Sequence, residues 1–292
     1  MKNDEINKGN NSVGKEDILD RLPQSQIPWK RSREDVWGSL QDRLAEKHEA
    51  RTISLSSYVL RLSAAAVIIL MIGTVTFMRL YTRTVSTDPG QISSLMLPKG
   101  SEVMLNAGTT LKYKPLWWTF KRKLILDGEA YFDVSSGNEF RVISESGTTS
   151  VLGTSFNIYS RTGEYEVDCY TGRVKVASLM SGKEVILQPN QKVVLDNQGE
   201  PSISEESSVT TYRNWRNGYF NFTSAPVTRV FDEIARQYGI TVKGTENLDL
   251  IYTGNFAKEQ PVNEVMNLVC KAFGIDFVVE GQNTYRVISN AN

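Results

Sequence analysis

Leu62 to Met78 reads LSAAAVIILMIGTVTFM, seventeen residues without a charge. At about 1.5 Å per residue a helix of that length is roughly 25 Å long, just short of a hydrocarbon core of about 30 Å. Tyr58, Val59 and Leu60 extend it on one side, and Leu80 and Tyr81 on the other. Arg61 and Arg79 are then placed to snorkel to the two interfaces. A soluble core helix normally carries a polar stripe, and this run has none. A secretory signal peptide has a short basic start and a small-residue cleavage site, whereas here 61 residues precede the run and no such site follows. The stretch therefore predicts one transmembrane helix over residues 58–81.

Flanking charge orients it. The twenty residues before Leu62 hold Arg43, Lys47, Arg51 and Arg61, while the twenty after Met78 hold only Arg79 and Arg83. That excess favours a cytoplasmic N-terminus. The whole chain has 33 Lys+Arg and 33 Asp+Glu in 292 residues, so a global basic field for nucleic acid is excluded. The single histidine, His48, excludes a multi-histidine metal site. Cys169 and Cys270, 101 residues apart, form neither a zinc cluster nor a disulfide framework. Buried small hydrophobes are the expected role of both, with a bridge between the two C-terminal domains the lesser alternative.

Residues 1–57 form the expected cytoplasmic segment. Lys15 to Leu22 places Ile18, Leu19 and Leu22 on one face. Ser32 to Glu49 is a stronger helix, with Ser32 as N-cap and Glu34 and Asp35 in the first turn. Val36, Trp37, Leu40 and Leu44 recur at helical spacing. So few apolar positions scarcely bury a core unaided. These four residues pack on each other, lie on the membrane surface, or dock a cytosolic partner, and periodicity leaves the three open.

Residues 91–195 show short runs of period two, broken by Gly, Asn, Ser and Pro. Lys123 to Asp127, Ala130 to Val134, Phe140 to Ile143, Ser155 to Tyr159, Tyr165 to Tyr170 and Arg173 to Ala177 are typical. They predict an all-β domain, a sandwich, a barrel or a twisted solenoid-like coil. Residues 196–214, rich in Ser and Glu from Glu200 on, read as a linker. Residues 215–290 change pattern. Tyr219 to Phe222 is a strand, and Ser224 caps a helix through Tyr238 whose apolar face is Val227, Val230, Phe231, Ile234 and Tyr238. Gly239 ends it, and Pro261 opens a second helix that runs to Gly274. With strands at Ile240 to Lys243, Ile251 to Phe256, Ile275 to Glu280 and Tyr285 to Ile288, the order is βαββαββ, a small α/β domain.

No catalytic constellation emerges. Glu129 and Asp133 share a strand face but stand four residues apart, roughly 13 Å, beyond the about 5–9.5 Å of glycosidase carboxylate pairs. Solvated or turn-binding carboxylates are the expected reading. Tyr131, Trp117 and Trp118 fit sugar stacking less well than buried or membrane-proximal packing.

The strings LPKGSEVMLN (Leu97 to Asn106), GEAYFDV (Gly128 to Val134), VLGTSFNI (Val151 to Ile158), GRVKV (Gly172 to Val176), LQPNQ (Leu187 to Gln191) and WRNGYFNF (Trp215 to Phe222) follow in that order after the span. Together they resemble the FecR family of anti-sigma factors, over Gln91 to about Ser289. Lys99 stands where the family usually has Asp, and Asn190 where it has Gly. The C-terminal α/β order is similar to the secretin/TonB short N-terminal domain. The resemblance implies a single-pass inner-membrane protein, N-terminus cytoplasmic and C-terminus periplasmic, with no cofactor, no metal and no direct nucleic-acid contact. It implies that the cytoplasmic segment, through Val36, Trp37, Leu40 and Leu44, holds an extracytoplasmic-function sigma factor. It also implies that the periplasmic part, within Trp215 to Ile288, receives the signalling domain of a TonB-dependent outer-membrane transporter. Nutrient-uptake genes would be the output. Some members break their own chain at a Gly–Thr bond in this motif, here Gly153–Thr154. A simple bend at Gly153, with Thr154 satisfying a turn, is the preferred reading. The competing view is a membrane-anchored periplasmic module that binds a glycan or envelope component and exerts no sigma-factor control.

Overall fold

A computed structural model describes residues 30–45, 55–205 and 215–288. His48 and the stretch from Lys15 to Leu22 lie outside them. The chain divides into two compact units, Met1–Ala65 and Ala66–Asn292.

Helix α1 (Arg33–Ala45) begins where the cap predicts. Ser32 Oγ accepts from the Asp35 amide at 3.0 Å, and an Asp35 carboxylate oxygen accepts from the Ser32 amide at 3.3 Å. This reciprocal pair satisfies two donors at the helix start. No residue of α1 is buried.

Helix α2 (Leu55–Leu80) contains the one stretch among the described residues long and apolar enough to cross a membrane, Ser57–Leu80. None of that window is buried, so it is not the core helix of a soluble domain.

The β domain starts two residues beyond α2, earlier than position 91, because β1 (Arg83–Ser86) already pairs with β4 (Thr110–Tyr113). The remaining strands are β2 (Ser93–Met96), β3 (Glu102–Leu105), β5 (Arg122–Asp133), β6 (Phe140–Ile143), β7 (Gly147–Val151), β8 (Ser155–Arg161), β9 (Glu164–Cys169), β10 (Val174–Ser178), β11 (Glu184–Leu187), β12 (Gln191–Leu195) and β13 (Pro201–Glu205). The twelve-residue β5 organises them. Its first half pairs with β4 and, in parallel, with β6; its second half pairs with β3 and β8. One sheet therefore runs β11-β10-β7-β6-β5-β4-β1 and the other β2-β3-β5-β8-β9-β12-β13. Both contribute to one core, in which Phe132 stacks on Phe156 at 5.0 Å and meets Phe140 edge-on at 5.9 Å.

Two sequence expectations change here. Lys123 to Asp127 and Ala130 to Asp133 are not separate strands but parts of β5, which stops one residue short of Val134. Gly128, between them, bends the strand at φ +120°, and a Cβ there would sit 2.7 Å from Thr109 Cα. The 196–214 linker is shorter than expected, since Pro201–Glu205 pairs antiparallel with β12. β13 is an edge strand with exposed polar side chains, which is why it reads as a linker.

The C-terminal module follows the βαββαββ order: β14 (Tyr219–Pro226), α3 (Val227–Tyr238), β15 (Thr241–Lys243), β16 (Ile251–Ala257), α4 (Val262–Ala272), β17 (Asp276–Gly281) and β18 (Thr284–Ile288). β14 and β16 form a two-stranded sheet, while β15, β18 and β17 form a three-stranded one. Val227, Val230, Phe231 and Ile234 are buried against Val265, Met266 and Val269 in one core. Ser224 does not cap α3. It lies in the irregularity of β14 at φ +49°, its amide donating to Thr253 Oγ1 at 2.9 Å, and Pro226 takes the N-cap position. Gly239 closes α3 in the left-handed conformation at φ +64°.

Candidate functional site

The face of β5 that carries Glu129 is not open to solvent. α3 and Trp215 cover it, making a polar seam between the β domain and the C-terminal module. Glu129 is buried rather than a solvated carboxylate: its two oxygens accept from Asn106 Nδ2 at 2.8 Å and Asn157 Nδ2 at 2.9 Å. Asp133, further along the same strand, is exposed and accepts from Ser155 Oγ at 3.1 Å.

Both asparagines also serve the module. Trp215 Nε1 donates to Asn157 Oδ1 at 3.2 Å, and Gln237 Nε2 donates to Asn106 Oδ1 and to Glu233 Oε1, each at 2.7 Å. Arg236 closes the cluster on Glu233 at 2.8 Å. Arg161 holds the facing loop through the carbonyls of Ala107 and Gly108 at 2.7 and 2.8 Å. Burial, then the nearby Glu233 charge, raises the Glu129 carboxyl to about 7. Burial acts on Glu233 in the same sense, but Arg236 and Arg161 overcome it and hold that carboxyl low.

A second ionic group lies beside the first. Arg229 of α3 reaches Glu166 of β9 at 2.5 Å and Glu164 at 3.2 Å, and Lys192 of β12 shares Glu166 at 2.8 Å. Burial opposes the Glu166 charge, yet the two cations hold its carboxyl at about 2. A cavity of about 170 Å³ opens between these groups, lined by Glu166, Tyr170, Lys192, Trp215 and Arg229 among others. At the far end of α3 the Gly90 amide donates to the Arg236 carbonyl at 2.6 Å, satisfying a group that every helix C-terminus leaves open. The Arg216 guanidinium lies 3.7 Å over the Tyr131 ring, so that ring is covered by a cation rather than displayed to a sugar.

The other singled-out residues do not join this seam. Trp118 is buried against Tyr113 and Phe140, whereas Trp117 is half-buried and packs against exposed Phe120. Gly153 and Thr154 lie in the β7–β8 turn, on an open cavity of about 720 Å³. A Cβ on Gly153 would fall 2.8 Å from Ser136 Cα, so close approach accounts for the glycine. The Thr154 hydroxyl donates to the Arg173 carbonyl at 3.1 Å. Cys169 and Cys270 are free thiols in separate cores, each pushed up to about 11 by burial. No group of His, Cys, Asp and Glu among the described residues could hold a metal ion. On α1, Val36, Trp37, Leu40 and Leu44 are all exposed, Trp37 at 64% and Leu44 at 79%.

Sequence reasoning singled out Glu129 but placed it in solvent, and it missed Glu166, Arg229, Glu233 and Gln237. The signal was present on α3, where Arg229, Glu233 and Gln237 recur every fourth residue beside the apolar stripe.

Residues 83–175 match the model of the FecR protein family, and residues 219–286 match that of the FecR C-terminal domain. The two matches span more than half of the chain, which belongs to the FecR family of anti-sigma factors. Two crystal structures described as a candidate anti-sigma factor from Parabacteroides distasonis share the fold. One aligns at TM-score 0.65 and 24% identity, the other at 0.64 and 25%; each covers 72% of this chain and 100% of its own. No curated protein matches the sequence.

Proposed function

We propose that this anti-sigma factor is a single-pass transmitter, with α1 in the cytoplasm and both folded domains in the periplasm. α1 holds an extracytoplasmic-function sigma factor, and the C-terminal module receives the signalling domain of a TonB-dependent outer-membrane transporter. The observation that carries this reading is the unburied apolar face of α1. Val36, Trp37, Leu40 and Leu44 lie on one side of a short helix, and none is covered within the described chain. Such an exposed apolar face is the mark of an interaction surface, and helix-in-groove docking is one way to cover it. On the receiving side, β17 is a sheet edge with Val278 and Val279 exposed, suited to strand or domain pairing.

Two features support transmission along the chain. Only Tyr81 and Thr82 separate α2 from a strand paired into the sheet, so there is no slack between span and domain. The seam ties the receiving module to the second sheet, which shares β5 with the sheet that holds β1. A signal then acts by changing the occupancy of states at the sigma-binding end.

The test is co-purification from a host that expresses the full chain. Trp37→Asp with Leu40→Asp should abolish recovery of a sigma factor identified by mass spectrometry and leave the melting of the folded domains unchanged. Equal recovery from wild type and variant would contradict the reading.

A further inference from the structure

The loop after β4 carries an exposed aromatic patch beside the end of α2. Arg83, the first residue of β1, pairs with Tyr113, the last of β4, and β1 follows the end of α2 by two residues. The chain leaving Tyr113 is therefore returned to the level at which α2 ends. Lys114 makes the closeness direct: its Nζ donates to the Arg79 carbonyl at 2.8 Å, in the last turn of α2. There the chain reads KPLWWTFKRK from Lys114 to Lys123. The two tryptophans divide the work. Trp118, 1% exposed, pins the loop into the β core, so its neighbours point outward. Leu116 is 41% and Phe120 66% exposed, and the half-buried Trp117 packs tilted against Phe120 with ring centroids 4.6 Å apart. Lys112, Lys121 and Lys123 are exposed around them, and no acidic residue occurs from Thr109 to Leu126.

We infer that Leu116, Trp117 and Phe120 insert into the bilayer interface at the C-terminal end of α2, with Lys112, Lys121 and Lys123 on anionic phospholipid headgroups. Aromatic rings next to lysines are the composition that this interface selects, and each lysine near an anionic surface adds attraction. In solution the same apolar patch would lie open to water. Attachment at the helix and at the loop gives the β domain two points of contact with one leaflet, which fixes its tilt as one point cannot. This docking rests on α2 crossing the bilayer.

The full chain in nanodiscs of phosphatidylethanolamine with phosphatidylglycerol provides the test. A spin label is placed in turn at Phe120→Cys, at Ile69→Cys in the span and at Ile203→Cys on the edge strand β13, the buried native cysteines being retained. Collision with oxygen, which partitions into lipid, is compared with collision with a water-soluble nickel chelate. The account expects Phe120 to resemble Ile69, with oxygen favoured, and Ile203 to favour nickel. Lys112→Glu, Lys121→Glu and Lys123→Glu together should shift the Phe120 site toward nickel. A nickel-favouring Phe120 with an oxygen-favouring Ile69 overturns the docking and leaves the span intact. A nickel-favouring Ile69 overturns the span and the docking with it.

Discussion

Arg229 of α3 and Glu166 of β9 meet at 2.5 Å across the seam between two hydrophobic cores, and Glu166 is almost wholly withdrawn from water. Removing the arginine leaves Glu166 with Lys192 alone. Because Arg229 keeps about a quarter of its side chain exposed, the loss is smaller than for a fully buried pair. Arg229→Ala should destabilise the module by about 1–3 kcal/mol. Urea unfolding followed by tryptophan fluorescence checks this, and an unchanged midpoint would remove Arg229 from the clamp.

Glu129 gives the seam a pH dependence. Its carboxyl sits at about 7 in the folded chain against an ordinary 4.5, so the folded state binds the proton more tightly. The stability contributed is complete below 4.5 and is lost as pH rises through about 7. Glu166 works oppositely, but its contribution is lost only as pH falls toward about 2 and is constant in the range of interest. Melting of the full chain should therefore fall between about pH 5 and pH 8 by an amount on the order of 1–3 kcal/mol, and Glu129→Gln should flatten that slope. A wild-type slope retained in the variant would place the titrating group elsewhere.

Gly153 is read as a packing glycine. With Ser136 Cα 2.8 Å from its would-be Cβ, Gly153→Ala should cost about 1–3 kcal/mol through a forced backbone shift. The purified full chain should give a single intact mass near 32.8 kDa. Two fragments joining between Gly153 and Thr154, absent in Thr154→Ala, would instead assign self-cleavage to this turn.

Trp37 and Leu40 should separate capture from folding. Both are exposed on α1, so charged replacements should change the thermal stability of the folded domains by no more than about 0.5 kcal/mol. A large loss in melting temperature would show that these side chains serve the fold rather than a partner.

Much of this architecture was legible from local chemistry. Alternating strands, the left-handed Gly239, the Pro261 helix start and the uncharged run at Leu62 to Met78 all depend on nearby residues. Where the reading erred, the deciding partner lay far along the chain. Glu129 looks like a solvent-facing strand residue until Glu233, Gln237 and Trp215, far along the chain, cover it. Pro201–Glu205 looks like a linker because an edge strand with one neighbour needs no apolar face. Ser224 has the chemistry of a cap, but β14 continues past it to Pro226. The clustered aromatics from Trp117 to Phe120 hid a division that only packing reveals, one tryptophan inward and its neighbour outward.

The account depends most on the two ends of α2 facing different compartments. Ser39 of α1 and Ser202 of β13 are both exposed, and the native thiols are buried. Single substitutions Ser39→Cys and Ser202→Cys in the full chain can be treated with a maleimide that permeates the outer but not the inner membrane of intact cells. The account predicts labelling at Ser202 in intact cells and at Ser39 only after lysis; labelling of both positions under the same condition would contradict it.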